Sequence, residues 1–320
     1  MWRYVLNRIF WMVIILLGSA FLIFTILYFT PGDPAKMMLG ENATLEMVEN
    51  LRHKLGLDKP YLAQLGDFLF STFLKLDLGE SWTYSKPVIA ELGARLPRTF
   101  MLGVVTMLLT TVIGIPLGIY AAIHQGKWQD YGIIGISMVL LSLPGFWVAL
   151  MLVIVFSLKF SLLPSYGIGG ISNYVLPVVS GLLAGLAGNA RQARSAMLET
   201  IRADFITTAR AKGQKEGVII RKHMLPNAMM PLITSLGGRF SHIVAGQAII
   251  ERVFSFPGIG LYMLNGISFR DYPVIRGCTL FFALFSSVVI LFVDLAYAWL
   301  DPRIKARYSA RATRSRGYSI

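Results

Sequence analysis

The chain is poor in charge and in the side chains that bind metals. Asp, Glu, Lys and Arg make up only 15% of its 320 residues, and it has one cysteine and four histidines. With the single Cys278 no disulfide can form within the chain, and we expect this residue to pack as a small apolar side chain. The histidines are scattered without ligand-like spacing, so we expect no metal site and no cofactor bound by this chain.

A nucleotide-binding loop is also missing. The pattern G-x-x-x-x-G-K-[ST], in which backbone amides and a lysine hold nucleotide phosphates, does not occur in the sequence. If the protein depends on ATP, hydrolysis must take place on another chain. The sequence therefore predicts no nucleotide site of the usual kind on this chain.

Long apolar stretches dominate what is present. Hydrophobic residues make up 55% of the chain and the mean hydropathy is +0.61, which is too apolar for a soluble domain. A helix needs roughly 20 apolar residues to cross the hydrocarbon core of a bilayer. We predict an all-α integral membrane protein with six transmembrane helices. Their predicted ranges are 9–29, 99–123, 132–158, 174–190, 228–250 and 277–300.

The positions of Lys and Arg predict the orientation of these helices. Arg3 and Arg8 precede the first span, whose apolar core is longer than that of a signal peptide, so we predict an uncleaved anchor with a cytoplasmic N-terminus. Lys and Arg are concentrated in segment 191–222 and in the tail 301–320. Both termini are therefore expected in the cytoplasm. Topology then accounts for the net charge of +13 without a nucleic-acid partner.

The longest segment between predicted spans is expected to form a small helical cap outside the membrane. Apolar residues recur at helical spacing after a predicted cap at Thr44, and again after Pro60. The predicted organisation is residues 1–29 for the N-terminus and first span, 30–98 for the extracytoplasmic helical segment, 99–300 for a five-helix core with a cytoplasmic loop at about 191–227, and 301–320 for a basic tail.

The basic segment 204–231 lies between two uncharged stretches. Small and apolar residues alternate there with Arg210, Lys212 and Lys215, and Gly213 is placed to end one short helix before a second begins. Such a helix-turn-helix at the membrane surface has two interpretations. It is either a basic loop that only fixes topology, or an element that transmits a rigid-body movement to the spanning helices.

A family resemblance favours the second interpretation. Residues 207–226 resemble the cytoplasmic coupling motif of binding-protein-dependent ABC importer permeases, E-A-A-x3-G-x9-I-x-L-P. Ala209, Gly213, Leu225 and Pro226 match this motif, whereas Thr207, Thr208 and His223 replace its Glu, Ala and Ile. The sequence T-A-R-A-K-G is similar to the version found in the peptide and nickel importers. Further stretches that resemble the B-type permease of those importers are T-P-G-D-P at 30–34, L-G-L-D-K-P at 55–60, V-F-S-F-P-G-I-G at 253–260, R-D-Y-P-V-I at 270–275 and L-D-P-R-I at 300–304.

The resemblance implies a multi-pass protein of the bacterial inner membrane that forms half of a translocation pore. Its implied partners are a second homologous permease, two cytoplasmic ATP-binding subunits that carry ATP and Mg, and an extracytoplasmic substrate-binding protein. Ala209 and Gly213 would pack in a cleft of the ATPase, and Arg210, Lys212 and Lys215 would face its acidic surface. The implied coupling residues are Thr207, Thr208, Ala209, Arg210, Ala211, Lys212, Gly213, Leu225 and Pro226.

Four residues are candidates for the substrate path. Arg239 lies inside the fifth predicted span, where it is expected either to line the pore and contact an anionic group of the substrate or to pair with Asp294. The turn P-G-I-G is expected to reach toward delivered substrate. Its candidate residues are Pro257, Gly258 and Gly260. The pairs Gly114 and Gly118, and Gly181 and Gly185, predict close helix packing.

Two alternatives remain open at this stage. The cargo implied by the resemblance is di- or oligopeptides, with nickel or a nickel chelate as the alternative. A different class of protein, an ATP-independent secondary transporter, predicts inverted repeats and several charges near the membrane midplane. The sequence contains no such repeat that we can detect, and only Arg239 and Asp294 are candidate midplane charges.

Overall fold

The regular structure of the chain is helical. A computed structural model describes residues 2–40, 42–241 and 243–300, and the predicted basic tail at 301–320 lies outside the described residues. The α-helices are α1 (Trp2–Phe29), α2 (Pro34–Leu39), α3 (Leu45–Leu55), α4 (Tyr61–Leu74), α5 (Val88–Ile123), α6 (Trp128–Ser142), α7 (Gly145–Leu152), α8 (Ser172–Ile201), α9 (Asp204–Ala211), α10 (Glu216–Ile219), α11 (Leu225–Ser241), α12 (Ala248–Val253), α13 (Ile259–Ser268) and α14 (Tyr272–Leu300). Two π-helical stretches, Val153–Lys159 and Ile220–Met224, continue α7 and α10.

Three helices of the described chain are long and apolar enough to cross a membrane. The apolar spans are Val5–Phe29 in α1, Val88–Ile123 in α5 and Tyr272–Leu295 in α14. They confirm the first, second and sixth predicted spans as single helices. Helix α5 begins earlier than the predicted start at 99, because the chain is already helical directly after Pro87.

The third predicted span is bent. Helix α6 and the helix Gly145–Lys159 meet at an angle of 97°. Pro144 causes the break, since a proline disfavours helical backbone at the residue before it, and Leu143 is extended with φ −85° and ψ 130°. If the bent pair counts as one span, the described residues contain up to four spans. The predicted number of six is therefore not confirmed.

The fifth predicted span, 228–250, is not one helix. Helix α11 ends at Ser241 and is followed by the short helix Ala245–Gln247 and then α12. The C-terminal end of α11 is stabilised by another helix, because the carbonyl of Ser241 accepts a hydrogen bond of 2.8 Å from the hydroxyl of Ser286 on α14. The fourth predicted span, 174–190, lies within α8, which continues to Ile201.

Helices α5 and α8 form the main seam of the fold. A Cβ atom on Gly181 would lie 2.8 Å from a methyl of Thr106, and one on Gly185 would lie 2.6 Å from a methyl of Thr110. On Gly118 it would collide with the backbone of α8. The predicted close packing at these glycines is confirmed. Residues later in α5 contact residues later in α8, so the two helices run parallel. The bent pair α6–α7 connects them in the chain.

The segment after α1 is a small helical cap, as its apolar spacing predicted. The side chain of Thr44 accepts a hydrogen bond of 3.3 Å from the backbone N–H of Met47 and so caps α3. Gly56 ends that helix in the left-handed conformation, with φ 67°. This cap packs beside the end of α1 and the start of α14.

Candidate coupling surface and substrate path

Residues 204–219 form a short helical hairpin, which we call the coupling hairpin. Helix α9 ends at Ala211, and Gly213 then adopts a φ of 70° that favours glycine. The N–H of Gly213 donates to the carbonyl of Arg210 at 2.9 Å. Helix α10 follows at Glu216. The predicted helix end at Gly213 is confirmed.

The underside of the coupling hairpin is part of the apolar core. Ile206 and Ala209 lie one turn apart on α9, and both are buried, as are Ile219 and Met224 in the following helix. They pack in one cluster with residues of α5, α8 and α11, including Met197. Burial of these side chains anchors the hairpin to the C-terminal parts of α5 and α8.

The opposite face of the hairpin is open. Leu225 is half-buried, and the exposed candidate residues are Thr207, Thr208, Arg210, Ala211, Lys212, Gly213 and Pro226. The expectation that Ala209 lies in a cleft of a partner is not met, since Ala209 is only 7% exposed and packs against the chain's own core. A Cβ on Gly213 would meet no atom within 4 Å. Gly213 is therefore a small, open residue on the exposed side of the hairpin, as are Ala211 and Gly217.

One of the three predicted docking cations is already paired. The guanidinium of Arg210 donates to both carboxylate oxygens of Glu216, at 2.7 and 3.2 Å, across the turn. The hydrogen bond from Arg210 lowers the pKa of Glu216 and raises that of Arg210. Lys212 and Lys215 make no ion pair within the described chain. The free positive charge of the hairpin is thus carried by the two lysines.

Arg239 does not pair with Asp294. Its guanidinium donates to the amide oxygens of Asn189 and Gln192 on α8, the second at 3.0 Å. Asp294 instead forms an ion pair of 2.7 Å with Arg8 on α1. The predicted pair was wrong because the end of α11 meets α14 at Ser286, about two turns before Asp294, and because the Arg239 guanidinium binds α8. Arg239 is exposed and keeps its charge uncompensated by any carboxylate that the structure describes.

The turn at Pro257 is packed rather than open. Gly258 and Gly260 are buried, and Pro257 is half-buried. A Cβ on Gly258 would collide with the carboxylate of Glu251, and one on Gly260 would lie 2.5 Å from the Cα of Ala248. The expectation that this turn reaches toward substrate is therefore corrected for its two glycines, which allow α13 to approach α12 closely.

A buried polar bridge holds this turn. We call Thr99, Glu251, Gly258 and Gly260 the glycine junction. The hydroxyl of Thr99 donates to Glu251 at 2.7 Å and accepts from the N–H of Ile259 at 2.9 Å. The second carboxylate oxygen accepts from the N–H of Leu261 at 2.8 Å. Burial raises the pKa of Glu251, which is 0% exposed.

Sequence reasoning missed Glu251 and Thr99. The available signal was an acidic residue directly after an uncharged stretch and before V-F-S-F-P-G-I-G. An acidic residue in that position is buried only if it finds several donors. Its donors come from α5 and α13, which are distant in the sequence.

Two family models match the chain. Residues 1–103 match the description "Binding-prot-dependent transport system membrane comp, N-term", and residues 114–306 match "Binding-protein-dependent transport system inner membrane component". The chain belongs to this permease family. The permease is therefore a multi-pass inner-membrane protein of the ABC importer type, which works with ATP-binding subunits and a substrate-binding protein.

Named relatives cover nearly the whole permease. A dipeptide transport system permease protein, DppB of Alkalihalophilus pseudofirmus, is 35% identical over 95% of this chain and 100% of its own length. A putative peptide transport system permease protein of Brucella abortus is 35% identical over 94% and 98%. A glutathione transport system permease protein, GsiC of Pectobacterium atrosepticum, is 34% identical over 95% and 99%.

Solved structures share the fold of the permease core. A chain of the MetNI methionine ABC transporter, in an inward-facing conformation, superposes with a TM-score of 0.52 at 19% identity. The match covers 66% of this chain and 95% of that one. At this identity the likeness extends to the fold alone, and the fold is that of an ABC importer permease.

Proposed function

We propose that the permease forms one half of the translocation pore of an ATP-driven importer of di- and oligopeptides. A second, homologous permease forms the other half, so that the membrane part is a heterodimer. The chain itself is non-catalytic, and ATP and Mg²⁺ bind to the partner subunits. An extracytoplasmic binding protein delivers the peptide.

The coupling hairpin is the observation that carries this proposal. Its underside is fixed to the apolar core, while its outer face presents Lys212, Gly213 and Lys215 to a partner. A hairpin that is anchored on one side and open on the other can be displaced by a partner subunit and can transmit this displacement to the helices below it. ATP-driven closure of the partner subunits would move the hairpin between two rigid arrangements.

A continuous helical path leads from the hairpin to the candidate substrate path. The backbone remains helical from Glu216 through the π-helical stretch Ile220–Met224 and α11 to Ser241. The π-helical stretch ends two residues before Pro226, which lacks the N–H that a regular α-helix would use. A displacement of α10 is therefore expected to move Arg239, which lies near the C-terminal end of the same helical segment.

Arg239 is proposed to lie on the substrate path. Its charge is held by two neutral amide side chains, Asn189 and Gln192, so a passing carboxylate meets a cation that is oriented but not neutralised. A peptide with a free C-terminus carries such a carboxylate. The charge-assisted hydrogen bond from a guanidinium suits this group.

Peptide cargo is favoured by the relatives described above, which are named for dipeptide, peptide and glutathione transport. These names favour peptides over nickel or a nickel chelate, which we do not propose. Family membership likewise disfavours an ATP-independent secondary transporter.

Both termini are proposed to lie in the cytoplasm. Arg8 near the start of α1 pairs with Asp294 near the end of α14, so these two helix ends lie together, which supports the proposal. The basic residues of the coupling hairpin belong on the cytoplasmic side by the positive-inside rule. Helices α5 and α8 run parallel and have one bent span, α6–α7, between them in the chain. This is the course expected when successive spans alternate in direction.

The test is uptake by the reconstituted importer with wild-type and variant permease. Gly213→Phe adds bulk and strain to the open face of the hairpin and is expected to reduce ATP-dependent uptake of a labelled dipeptide at least about tenfold, because the partner can no longer approach closely. Gly126→Phe is the matched control, since Gly126 also has a positive φ, of 77°, and open space around it. Equal loss in both variants would overturn the coupling role of the hairpin. Uptake without ATP-binding subunits would overturn the importer itself.

A further inference from the structure

A cavity of about 580 Å³ lies under the helical cap, away from the coupling hairpin and from Arg239. Its walls come from the end of α1, from α3 and α4, from the loop at 77–82 and from the start of α14. This volume is within the range of sites that hold small ligands. The predicted substrate-path residues do not include any residue of this cavity.

The charges around the cavity balance, and most of them are already paired. Arg52 forms an ion pair of 2.7 Å with Asp33, and Lys59 forms one of 2.6 Å with Asp67. These four side chains neutralise one another within the wall. Arg276 and Asp77 are the other two charged residues that line the cavity.

Arg276 is an oriented cation that makes no ion pair within the described part of the chain. The buried carboxylate of Asp271 acts on its charge through space, but it already accepts hydrogen bonds from other groups of the chain. Its guanidinium lies over the ring of Phe68, 4.7 Å from the centroid, and 5.8 Å from that of Phe24. Its Nε donates to the carbonyl of Tyr272 at 3.3 Å. The terminal Nη groups have no acceptor within the described chain. A guanidinium fixed in this way offers two parallel donors to an anionic group.

Asp77 supplies the opposite charge. One of its carboxylate oxygens accepts a hydrogen bond of 2.8 Å from the N–H of Gly79. No cation in the described part of the chain pairs with this carboxylate, which is exposed at the cavity. A fixed carboxylate of this kind suits an ammonium group.

We propose that this cavity binds a zwitterionic small ligand, whose carboxylate or phosphate pairs with Arg276 and whose ammonium group pairs with Asp77. The aromatic wall formed by Phe24, Phe68 and Trp82 covers the body of the ligand. A ligand with only one charge leaves either Arg276 or Asp77 unpaired and binds more weakly.

Two sources provide this chemistry. A short peptide has a carboxylate and an ammonium group, and so does the headgroup of phosphatidylethanolamine, with phosphate in place of carboxylate. The peptide source rests on the proposed function, whereas the zwitterionic site does not. If the ligand is a peptide, the cavity would be a second peptide-binding site on the extracytoplasmic side, separate from Arg239.

The test is isothermal titration calorimetry on the full-length permease assembled with its partner subunits, without the binding protein. The probes are dialanine, its C-terminal amide, its N-acetyl derivative and a short-chain phosphatidylethanolamine. For wild type we expect dialanine to bind at least about tenfold more tightly than either blocked derivative, because each blocked end removes one charge-assisted pair. Arg276→Gln is expected to abolish the preference for the free carboxylate, and Asp77→Asn the preference for the free ammonium group.

Controls separate a lost site from a damaged fold. Lys59→Gln alters the same cavity wall at a residue that is already paired, and it is expected to change the affinity for dialanine less than about threefold. Arg276→Lys keeps the charge and is expected to retain part of the preference for the free carboxylate.

Each outcome decides the proposal. Binding of phosphatidylethanolamine instead of dialanine, with the same dependence on Arg276 and Asp77, supports the zwitterionic site and identifies a lipid as its occupant. Binding of neither probe, or binding unaffected by both substitutions, overturns it. Loss of peptide uptake by the importer contradicts the proposed cargo but not this site, so the two failures can be told apart.

Discussion

The glycine junction and the coupling hairpin use polar groups in opposite ways. In the glycine junction a fully buried carboxylate, Glu251, has its hydrogen-bond donors within the chain, from Thr99 and Leu261. In the coupling hairpin the charges of Lys212 and Lys215 are exposed and unpaired within the described residues. The first arrangement is complete without a partner, whereas the second is not.

This difference indicates which region is a joint and which is an interface. A buried network that is fully satisfied fixes one geometry, because any movement leaves a polar group unpaired. An exposed basic face whose opposite side is attached mainly through apolar contacts is free to meet an acidic partner. We therefore expect substitutions in the junction to affect folding, and substitutions on the hairpin face to affect assembly and transport.

A large effect on stability is expected from Glu251→Ala. The change leaves the Thr99 hydroxyl and the Leu261 N–H without their acceptor and is expected to lower the free energy of unfolding by about 2–4 kcal/mol. The measurement is unfolding of the purified permease in detergent. Glu49→Ala on the exposed face of α3 is the control, with a change below about 0.5 kcal/mol. Equal effects of the two substitutions would remove the distinction between the regions.

Charge reversal on the hairpin is expected to act on assembly instead. The double substitution Lys212→Glu with Lys215→Glu should weaken association with the ATP-binding subunits about tenfold at low salt, and less at high salt because ions screen exposed charges. The unfolding of the isolated permease should not change. Association can be measured by surface plasmon resonance. Lys36→Glu with Lys54→Glu, on the helical cap, should leave it unaltered, and a similar loss there would contradict docking at the hairpin.

The two carboxylates should respond to pH in opposite directions. Burial raises the pKa of Glu251 above its ordinary value of 4.5, so the folded chain holds this proton more tightly than the unfolded chain. Its contribution to stability is present below pH 4.5 and is lost as the pH rises through the folded pKa. The free energy of unfolding of wild type minus that of Glu251→Gln, measured by thermal unfolding across pH, should therefore fall as the pH rises.

The hairpin carboxylate has the reverse sign. Arg210 lowers the pKa of Glu216 below 4.5, so this pair contributes stability above pH 4.5 that is lost as the pH falls through the folded pKa. The free energy of unfolding of wild type minus that of Glu216→Gln should rise with pH. This difference should remain small, since Arg210 and Glu216 are both exposed. Slopes of the same sign for Glu216 and Glu251 would contradict the assigned environments.

The smallest effect is expected from Arg210→Ala. The pair with Glu216 is solvent-exposed, with side-chain exposures of 44% and 54%, and such pairs contribute less than about 1 kcal/mol. Arg194→Ala provides the contrast, because its partner Asp130 is only 2% exposed and would remain as a buried, unpaired charge. Thermal unfolding of both variants checks the order. A larger loss for Arg210→Ala would mean that the hairpin is fixed by its charges and not by its apolar underside.

Local signals in the sequence predicted local structure well. The cap at Thr44, the helix end at Gly213 and the close packing at Gly181 and Gly185 each follow from residue type and short-range spacing, and the structure agrees with them. Hydropathy also located the helices that span as single units. The bend before Pro144 could also have been predicted from the sequence, because the residue that precedes a proline disfavours helical backbone.

Tertiary pairing was beyond the sequence. Arg239 and Asp294 look like partners by charge, but each meets a different helix in the fold. Ala209 matches a partner-facing motif position, yet packing of α9 turns it inward. The bridge between Thr99 and Glu251 joins residues far apart in the chain, and no spacing rule predicts it. These contacts depend on which helices are neighbours.

Protection of the hairpin by its partners is the most direct test of the account. The native Cys278 is 0% exposed, so a cysteine introduced by Lys215→Cys is expected to be the main site of maleimide labelling on the folded chain. We predict that labelling of this variant slows at least about tenfold when the ATP-binding subunits are bound, while labelling of Lys54→Cys on the helical cap does not change. Equal labelling of Lys215→Cys with and without those subunits would contradict the claim that the coupling hairpin is their docking surface.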